Sequence, residues 1–465
     1  MATNRRNFIK GSAFASTLLA GSYSSRLLGA SNRSSAKRKP FVLYIHLGSM
    51  CGVSSGLVQP LQPGVWQKGF FTRGSLDMAS NPLLNVQDQY GALVLHNYSQ
   101  PLAHIADDVC LTNGTPESLD HRIGQLMQMR GNRLAVDAPE WAMALAQANL
   151  KPGERNPICI TEGQKINKVS DVSMIQARSI ENFIDVTSDP SNMPNEFSGP
   201  IWSSLAKRFE QDAIGSTKLA KSSYEILKTQ LDTLTKGLPE LNDIEGDLAS
   251  IEGKFTQANF NALKADMQDA NNIGYDYSFR NNLILAGIMA KSGAASGMTL
   301  RLGGDDFHFG GADVVTARRA AAKWIHLVLF WQWIRQQGLD QDVTIIVSHD
   351  FGRSPFNNKY SDHTIQSENG NQLIRCPGRD HGLHFGMLFI NKNVPSGGRI
   401  GNVTDNFISF PAKDAVGGFD ENASPHLANH LVGSMLMRIY PDLFPNVASI
   451  TEFWRDFRTV EALLK

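Results

Sequence analysis

The sequence predicts an α/β fold, a doubly wound and mostly parallel sheet flanked by helices, from two features. The first is a series of near-continuous apolar runs of the kind that form buried parallel strands, beginning with FVLYIHL at 41–47. The later runs are ALVLH (92–96), DVCLT (108–112), ICI (158–160), MTLRL (298–302), VTIIVS (343–348) and GMLFI (386–390). The second is helical periodicity between several runs, notably at 120–131 and at 312–338, where Gly338 marks a helix C-cap. Such sheets bind ligands outside the carboxyl ends of their strands.

A helical insertion is predicted at 201–290, where helical periodicity almost wholly replaces the alternation. Leucines recur there at steps of four, three, four and three residues, at Leu227, Leu231, Leu234, Leu238 and Leu241. Because the pattern lasts only about two heptads, we expect helices packed on the sheet domain and not a free coiled coil. The α/β domain is therefore predicted to consist of 31–200 and 291–465.

The first thirty residues have the pattern of a targeting segment. A twin arginine, Arg5 and Arg6, precedes Phe8, Ile9 and Lys10, and a modest apolar run follows. This resembles a twin-arginine (Tat) export signal at 1–30, cleaved after Ala30. We therefore expect the Tat export machinery as a partner and a periplasmic or extracellular location.

Composition excludes two classes of function. Basic and acidic residues both number 44, so no basic surface favours nucleic acid. No apolar run approaches the roughly 18 residues of a membrane span. The four cysteines, Cys51, Cys110, Cys159 and Cys376, have no CxxC spacing, and the sequence leaves their pairing open.

Acidic, imidazole and hydroxyl side chains, with one arginine, gather next to four of the predicted strands. They are Asp305, Asp306 and His308 after MTLRL; His349, Asp350 and Arg353 after VTIIVS; Asp380, His381 and His384 before GMLFI; and Thr115, Ser118, Asp120 and His121 after DVCLT. Each loop alone is typical of a solvated turn, and Ser118 alone is typical of a helix N-cap. Together, at the carboxyl ends of one sheet, they are expected to form one crevice. Mixed Asp and His sets bind Zn²⁺, Mn²⁺ or Mg²⁺, and paired metals about 4 Å apart suit phosphoryl-type transfer.

One further histidine pair stands outside these loops. His426 and His430 have i,i+4 spacing on a predicted helix, and we expect a surface or packing role for both.

Several of these motifs together resemble the secreted DUF1501 family, whose members are usually Tat-exported and belong with the alkaline phosphatase and sulfatase superfamily. The most specific part is 343–401, where a strand ending in SHDFGRSP is followed by an asparagine, GRDHG, an apolar strand and GGRIG. The resemblance extends to the Asp306-x-His308 loop, to GSMCG at 48–52 and to His121 at a helix start. It implies an alkaline phosphatase-like form of the predicted α/β fold and a hydrolase of phosphate or sulfate esters.

The resemblance also implies a divalent metal (Zn, Mn or Mg), with two metals in a complete site. Asp306 and His308 would hold one metal, with His381 alongside. Asp350, with His349, would serve the second.

Asp380 would be a further ligand or the carboxylate that orients His381. Arg353 would face the anionic group of an ester. The nucleophile position of the related phosphatases and sulfatases falls near Thr115 or Ser118, at a helix N-terminus.

One position departs from the family pattern. Family members generally have an aspartate in the glycine loop after the first strand, where this chain has Cys51. A thiolate binds zinc but is a poor substitute in a carboxylate-bridged Mg²⁺ or Mn²⁺ site. Two hypotheses follow: a metal-dependent hydrolase acting on an anionic ester, which is a small molecule or part of a polysaccharide, and a catalytically impaired secreted protein that binds such a partner. An unrelated nucleotide-binding protein is disfavoured because the chain has no GxxxxGK[ST] loop.

Overall fold

The computed structural model describes most of the predicted sheet and its covering helices. The described residues are 40–48, 84–88, 91–95, 97–131, 139–149, 158–161, 174–175, 244–265, 267, 270–293, 295–302, 312–356, 363–366, 373–376, 379–381, 383–395, 398–400, 402–403, 409–410, 425–454 and 456–464. Their elements belong to one compact unit. The export signal predicted at 1–30 and Leu227–Leu241 lie outside the described residues.

The described strands and helices alternate along much of the chain. The strands are β1 (Phe41–His46), β2 (Leu84–Asp88), β3 (Gly91–Leu95), β4 (Val109–Gly114), β5 (Ile158–Thr161), β6 (Met174–Ile175), β7 (Ala295–Arg301), β8 (Val343–Ser348), β9 (Arg353–Phe356), β10 (His363–Gln366), β11 (Leu373–Cys376), β12 (Arg379–His381), β13 (Phe385–Ile390), β14 (Gly398–Ile400), β15 (Asn402–Val403) and β16 (Ser409–Phe410). The helices are α1 (His121–Met129), α2 (Trp141–Ala148), α3 (Ile244–Lys254), α4 (Gln257–Lys264), α5 (Tyr277–Ser292), α6 (Ala312–Gln336), α7 (Ala428–Ile439), α8 (Val447–Thr451) and α9 (Glu461–Leu464), with 3-10 segments at Asn97–Asp108 and Ala270–Asn272.

Eight of these strands form the central sheet, in the order β14-β4-β13-β8-β1-β7-β5-β6. Strands β8, β1, β7, β5 and β6 form a parallel block, and β13 runs antiparallel to both β8 and β4. Strand β1 lies near the centre, and its last residue, His46, is level with Arg301 of β7 and Ser348 of β8. The carboxyl ends of three neighbouring strands therefore meet at one edge, which we call the carboxyl edge.

Helices cover both faces of this sheet, so the predicted α/β class, a mostly parallel sheet flanked by helices, is confirmed. Alternate residues of β1 point to the two sides: Leu43 and Ile45 lie in one apolar core with α5 and α6, while Val42 and Tyr44 lie in another with α2 and α7. All six residues of β1 are buried, as a central parallel strand requires. No described helix is long and apolar enough to cross a membrane.

One predicted strand has a different partner from the one expected. The run at 92–96 corresponds to β3, which pairs antiparallel with β2 in a two-stranded sheet and not within the central sheet. Only two residues separate β2 from β3, a length that suits a hairpin and not a parallel crossover. Periodicity alone cannot distinguish these partners, because a hairpin strand and a parallel strand of the central sheet both appear in the sequence as short apolar runs.

Helix α5 overlaps the end of the predicted insertion but is a core element of the sheet domain. Ten of its residues are buried, and residues such as Phe279, Leu283 and Ile288 share the apolar core of β1 and β7. Helix α5 leads directly into β7, and its C-cap Gly293 has the left-handed conformation that ends many helices. The boundaries 201–290 stay a prediction.

Helix α6 is the long helix predicted before β8, and it ends near Gly338, whose φ of 65° fits the predicted C-cap region. Its carboxyl end is fixed to the opposite edge of the sheet by Asp108, which directly precedes β4. Asp108 Oδ2 accepts hydrogen bonds from Trp331 Nε1 at 2.6 Å and from Arg335 Nε at 2.6 Å. The amino-terminal half of α6 therefore lies toward the carboxyl edge.

Gly131, just after α1, is a position where we predict a steep cost for a side chain. Its φ is +63°, and an added Cβ would lie 2.1 Å from Trp454 Cδ1. Gly131→Ala should therefore lower the free energy of unfolding by more than the roughly 1–2 kcal/mol of left-handed backbone strain. Gly293→Ala is the matched control, because Gly293 also has positive φ but a Cβ added there would meet no atom within 4 Å. Equal losses in urea unfolding of the two variants would contradict this account.

Candidate functional site

Asp350 occupies the carboxyl edge two residues after β8 ends. Strand β8 is fully buried and leads the chain directly to this position. Asp350 is completely buried, and its Oδ1 accepts a hydrogen bond from the Phe351 N–H at 3.0 Å. A buried carboxylate is costly unless it is paired, so the contacts of its second oxygen, Oδ2, bear on its role.

One contact of Asp350 Oδ2 is with His121, the first residue of α1. His121 Nδ1 lies 2.5 Å from Asp350 Oδ2, and the imidazole ring packs on Phe351 with centroids 4.7 Å apart. The helix start is fixed by Asp120, whose Oδ1 accepts from the Ile123 N–H at 2.9 Å. Gly124 of α1 lies beside Asp350, since a Cβ added there would be in van der Waals contact with the Asp350 Cβ at 3.5 Å.

A carboxylate bonded to Nδ1 fixes the orientation and tautomer of an imidazole and directs its chemistry to Nε2. This arrangement serves two kinds of site: a metal-bound histidine supported by a carboxylate, and a histidine that acts as a general base. Asp350 was expected to be a ligand of the second metal, and His121 was singled out only for its place at a helix start. The geometry favours the reverse assignment, with Asp350 as the positioning residue and His121 as the residue that meets a metal or substrate.

His349 has a different role from the predicted one. Its Nδ1 lies 2.8 Å from the Phe351 carbonyl oxygen, and its Nε2 accepts from the Gly386 N–H at 3.0 Å. Both ring nitrogens therefore bond the backbone, and the ring is completely buried. This arrangement argues against His349 as a metal ligand and indicates that it ties β8 to β13.

His46 is a polar group of the carboxyl edge that sequence reasoning did not single out. Its Nδ1 accepts from the Gly48 N–H at 3.0 Å, so the ring proton lies on Nε2. This buried Nε2 has no hydrogen-bond partner among the described residues. Burial lowers the pKa of His46 to about 3, with nearby His349 and Arg301 adding to the effect, so the ring is a neutral donor at pH 7.

Arg301 brings a positive charge to the same edge. It is the last residue of β7, is exposed, and its Nη2 donates to Gln125 Oε1 of α1. A neutral N–H donor and a guanidinium at one sheet edge are suited to an anionic oxygen. Little in the sequence indicates that His46 and Arg301 belong to a site. Each occurs inside an apolar run and lies on the strand face that also contains Tyr44.

The two predicted hydroxyl nucleophiles differ in how they are bonded. Ser118 Oγ accepts from the Asp120 N–H at 3.1 Å, a local turn contact beside the helix cap. The Thr115 N–H donates to the His426 carbonyl oxygen at 2.9 Å, while its buried Oγ1 has no hydrogen-bond partner in the described part of the chain. Of the two, Thr115 is the hydroxyl whose bonding capacity is left for a ligand or water.

The backbone brings two other predicted residues together. Strand β12 pairs antiparallel with β9, and His381 is the register partner of Arg353. Strand β9 begins three residues after Asp350, so this ladder continues from the carboxyl edge. The side chains of Arg353, Asp380 and His381, and the whole of Cys51, Asp306 and His308, lie outside what the structure describes.

Three further histidines, His384, His426 and His430, have packing contacts. His384 fills the space over Gly352, where a Cβ would lie 2.0 Å from its Nε2. His430 Nδ1 accepts from the Leu427 N–H at 3.2 Å, and burial lowers the pKa of His430 to about 4 and that of His426 to about 3. These contacts fit the packing role expected for the His426 and His430 pair. Among the described residues, no three His, Cys, Asp or Glu side chains come together as a metal cluster.

Glu140, the N-cap residue of α2, is predicted to make stability depend on pH. Burial raises its pKa from 4.5 to about 7, against smaller opposite effects of Thr299 and Arg130. Between pH 4.5 and about pH 7 the Glu140 carboxyl keeps its proton in the folded protein and loses it in the unfolded one. Its contribution to the free energy of unfolding is therefore complete below pH 4.5 and is lost as the pH rises to about 7. From pH 5 to pH 8 the free energy of unfolding of the wild type, measured in urea, should fall by about 2–3 kcal/mol more than that of Glu140→Gln. A parallel pH dependence of the two proteins would contradict this.

Comparisons with known proteins give no family for this chain. No protein-family model matches it, and no curated protein matches it. Among solved structures, the match to Ps i-CgsB covers 79% of this chain and 70% of that protein, at 9% identity and a TM-score of 0.28. Ps i-CgsB is also solved in complex with k-i-k-neocarrahexaose. The match to the phosphonate monoester hydrolase of Agrobacterium radiobacter covers 79% of this chain and 72% of that protein, at 12% identity and a TM-score of 0.25.

A third solved structure is the integral membrane protein lipooligosaccharide phosphoethanolamine transferase A from Neisseria meningitidis. The match covers 77% of this chain and 49% of that protein, at 11% identity and a TM-score of 0.24. All these TM-scores are low, so the comparisons carry no inference about activity.

Proposed function

We propose that this chain is a metal-dependent hydrolase of phosphate or sulfate esters, exported by the Tat machinery to the periplasm or beyond. The observation that carries the proposal is the buried Asp350 carboxylate held 2.5 Å from His121 Nδ1 at the end of β8. An enzyme that activates an oxygen nucleophile needs an oriented imidazole or a metal it holds, and this pair supplies the orientation.

The chemistry of the donors fits a divalent cation in part. The described residues provide one imidazole backed by one carboxylate, a combination found at zinc sites. His121 would hold the metal through Nε2, and Asp306, His308, Asp380 and His381 are the residues proposed to complete one or two sites. A bound Zn, Mn or Mg ion would act as a Lewis acid on the ester oxygens.

The other residues of the carboxyl edge would bind and orient the anion. The His46 Nε2–H and the Arg301 guanidinium would donate to its charged oxygens, which gain charge as the ester bond breaks. The hydroxyl of Thr115 or Ser118 would be the attacking oxygen, forming a bond to phosphorus or sulfur while the alcohol leaves with a proton. Water then releases the phosphate or sulfate.

The second candidate function is a secreted binding protein with impaired catalysis. Cys51 favours it, since a cysteine stands where the resemblance leads us to expect a carboxylate ligand. This protein would use the same edge to bind an anionic ester or polysaccharide without turnover.

Elemental analysis combined with an ester panel separates the two candidates. Protein purified from its natural export route should contain a divalent metal and hydrolyse an aryl phosphate or an aryl sulfate, and a chelator should abolish this activity. Activity that survives the chelator but requires His121 would indicate that His121 acts as a general base and not as a metal ligand. A metal-free, folded and inert protein would favour the binding function.

A further inference from the structure

Glu140 is a buried carboxyl group that the proposed reaction does not use. It is the N-cap residue of α2 and is 1% exposed. Neither of its carboxyl oxygens has a hydrogen-bond partner in the described part of the chain. Most buried polar groups of native proteins are paired, so an unpaired buried carboxyl group is exceptional and points to a functional role.

The strands place Glu140 one layer below the carboxyl edge. Tyr44 of β1 and Thr299 of β7 are register partners, and the next pair on the same face is His46 and Arg301. Two residues along a strand span about 7 Å. Glu140 is a neighbour of the lower pair, because its charge acts on the pKa of Tyr44 and Thr299 acts on the pKa of Glu140.

Helix α1 gives the same depth independently. Near the edge, Gln125 Oε1 accepts a hydrogen bond from Arg301 Nη2. Further along, Arg130, the C-cap residue of α1, acts on the pKa of Glu140. The helix rises about 7.5 Å from Gln125 to Arg130, which agrees with the separation of the two strand layers. Glu140 therefore lies roughly 7 Å below the groups proposed to bind the anion.

The charge of an ionised Glu140 is only partly balanced by its surroundings. Arg130 lowers the pKa of Glu140, but burial has the larger effect and raises that pKa to about 7. Tyr44 stays neutral, because burial raises its pKa and its hydroxyl lies 2.5 Å from Ser348 Oγ. Thr299 is neutral, and α2 itself, WAMALAQA, has no charged residue. Glu140 therefore gains or loses a buried negative charge near neutral pH.

We propose that Glu140 sets the charge selectivity of the carboxyl edge: once ionised, it shifts the preference of the site toward singly charged sulfate esters and away from the dianions of phosphate monoesters. The repulsion between Glu140 and a bound anion is proportional to the charge of the anion, so a dianion is penalised twice as strongly as a monoanion. Neutral Glu140 has no such effect. This inference rests on the proposed anion-binding role of His46 and Arg301 and does not depend on turnover.

Titration calorimetry of the full chain with sodium sulfate and with methyl sulfate compares two charges with one, and neither anion changes its charge between pH 5 and pH 8. Unit charges about 10 Å apart at an effective dielectric constant of about 20 change an affinity by roughly 10-fold, and Arg130 and salt reduce this effect. From pH 5 to pH 8 the affinity of wild type for methyl sulfate should fall about 3-fold more than that of Glu140→Gln. The affinity for sulfate should fall about 10-fold more, because the penalty applies to each charge. Other titrating groups are common to both proteins, so the difference isolates Glu140.

Two further variants locate the effect. Arg301→Gln should weaken the binding of both anions about 10-fold at either pH, because Arg301 is proposed to hold the anion at the edge. Glu252→Gln is the matched control, since it removes a half-exposed carboxylate of α3 that pairs with Arg280. It should follow the wild type at both pH values. Anion binding that is insensitive to Arg301→Gln would place the anions elsewhere and overturn the inference.

Infrared difference spectra of the wild type test the same coupling without a variant, and they decide the matter if Glu140→Gln does not fold. At pH 7, adding sulfate should increase the absorption of protonated carboxyl groups, because a bound anion favours neutral Glu140. The same pH dependence of both affinities in wild type and Glu140→Gln, or no gain in this absorption, would overturn the inference and leave the hydrolase proposal standing. Binding of neither anion at either pH would overturn the inference together with the anion-binding role of the carboxyl edge.

Discussion

The Asp350→Asn variant is expected to hydrolyse aryl esters about 10³-fold more slowly than wild type, although the substitution keeps the size and shape of the side chain. The carboxylate of Asp350 accepts from His121 Nδ1, whereas an asparagine can turn its amide N–H toward the ring and favour the wrong tautomer. Steady-state rates measured together with circular dichroism show whether activity falls while the fold is kept.

A double-mutant cycle tests whether Asp350 acts through His121. His121→Ala should lose activity to about the same extent, and the Asp350→Asn, His121→Ala double variant should be scarcely slower than either single variant, because residues that act as a unit are not additive. His121→Ala removes a partner of the fully buried Asp350 carboxylate, so its circular dichroism and urea unfolding are measured beside its rates. Independent, additive losses would show that Asp350 has a role of its own, such as direct metal ligation.

The largest loss of stability outside the glycine positions is expected for Asp108→Ala. Asp108 Oδ2 bonds Trp331 Nε1, Arg335 Nε and Arg335 Nη2, each at 2.6 Å, and its side chain is 8% exposed. Removing it leaves a buried indole N–H and a half-buried guanidinium without their acceptor. We expect the free energy of unfolding to fall by about 3 kcal/mol, because breaking a buried pair leaves an uncompensated charge.

Lys392→Gln is the matched control for Asp108→Ala. It breaks an ion pair with Asp340 at 3.2 Å in which the lysine is 52% exposed. Exposed pairs contribute about 0–1 kcal/mol, so urea unfolding should shift little. Comparable shifts for the two variants would mean that Asp108 does not fix the end of α6.

The fold was largely predictable because buried parallel strands have a strong local pattern. Strands β1 and β8 come from mostly apolar runs, and β7 covers most of the run MTLRL, in which apolar residues alternate with Thr299 and Arg301. The hairpin of β2 and β3 was not predictable, since strand pairing depends on contacts between segments and not on the composition of one segment. The place of α5 in the core was missed for a related reason. Its helical periodicity continues that of the preceding segment, and periodicity does not show which face of the sheet a helix covers.

The site was predictable in its location and less so in its roles. Asp350 and His121 were both singled out because they follow strand ends, but their 2.5 Å contact joins residues 229 positions apart in the chain. Only the fold shows that Asp350 bonds His121 or that both nitrogens of His349 bond the backbone. His46 was missed because a histidine inside an apolar run gives no sign, in one sequence, that its outer nitrogen lacks a partner.

The most direct test of the account is the hydrolysis rate of an aryl phosphate and an aryl sulfate by the wild-type chain and by His121→Ala, each prepared with its metal content measured. The account predicts turnover of at least one ester by wild type and a loss of about 10³-fold in the variant. Equal rates for the two proteins, or a wild-type chain that is folded and metal-loaded yet inert toward both esters, would contradict it.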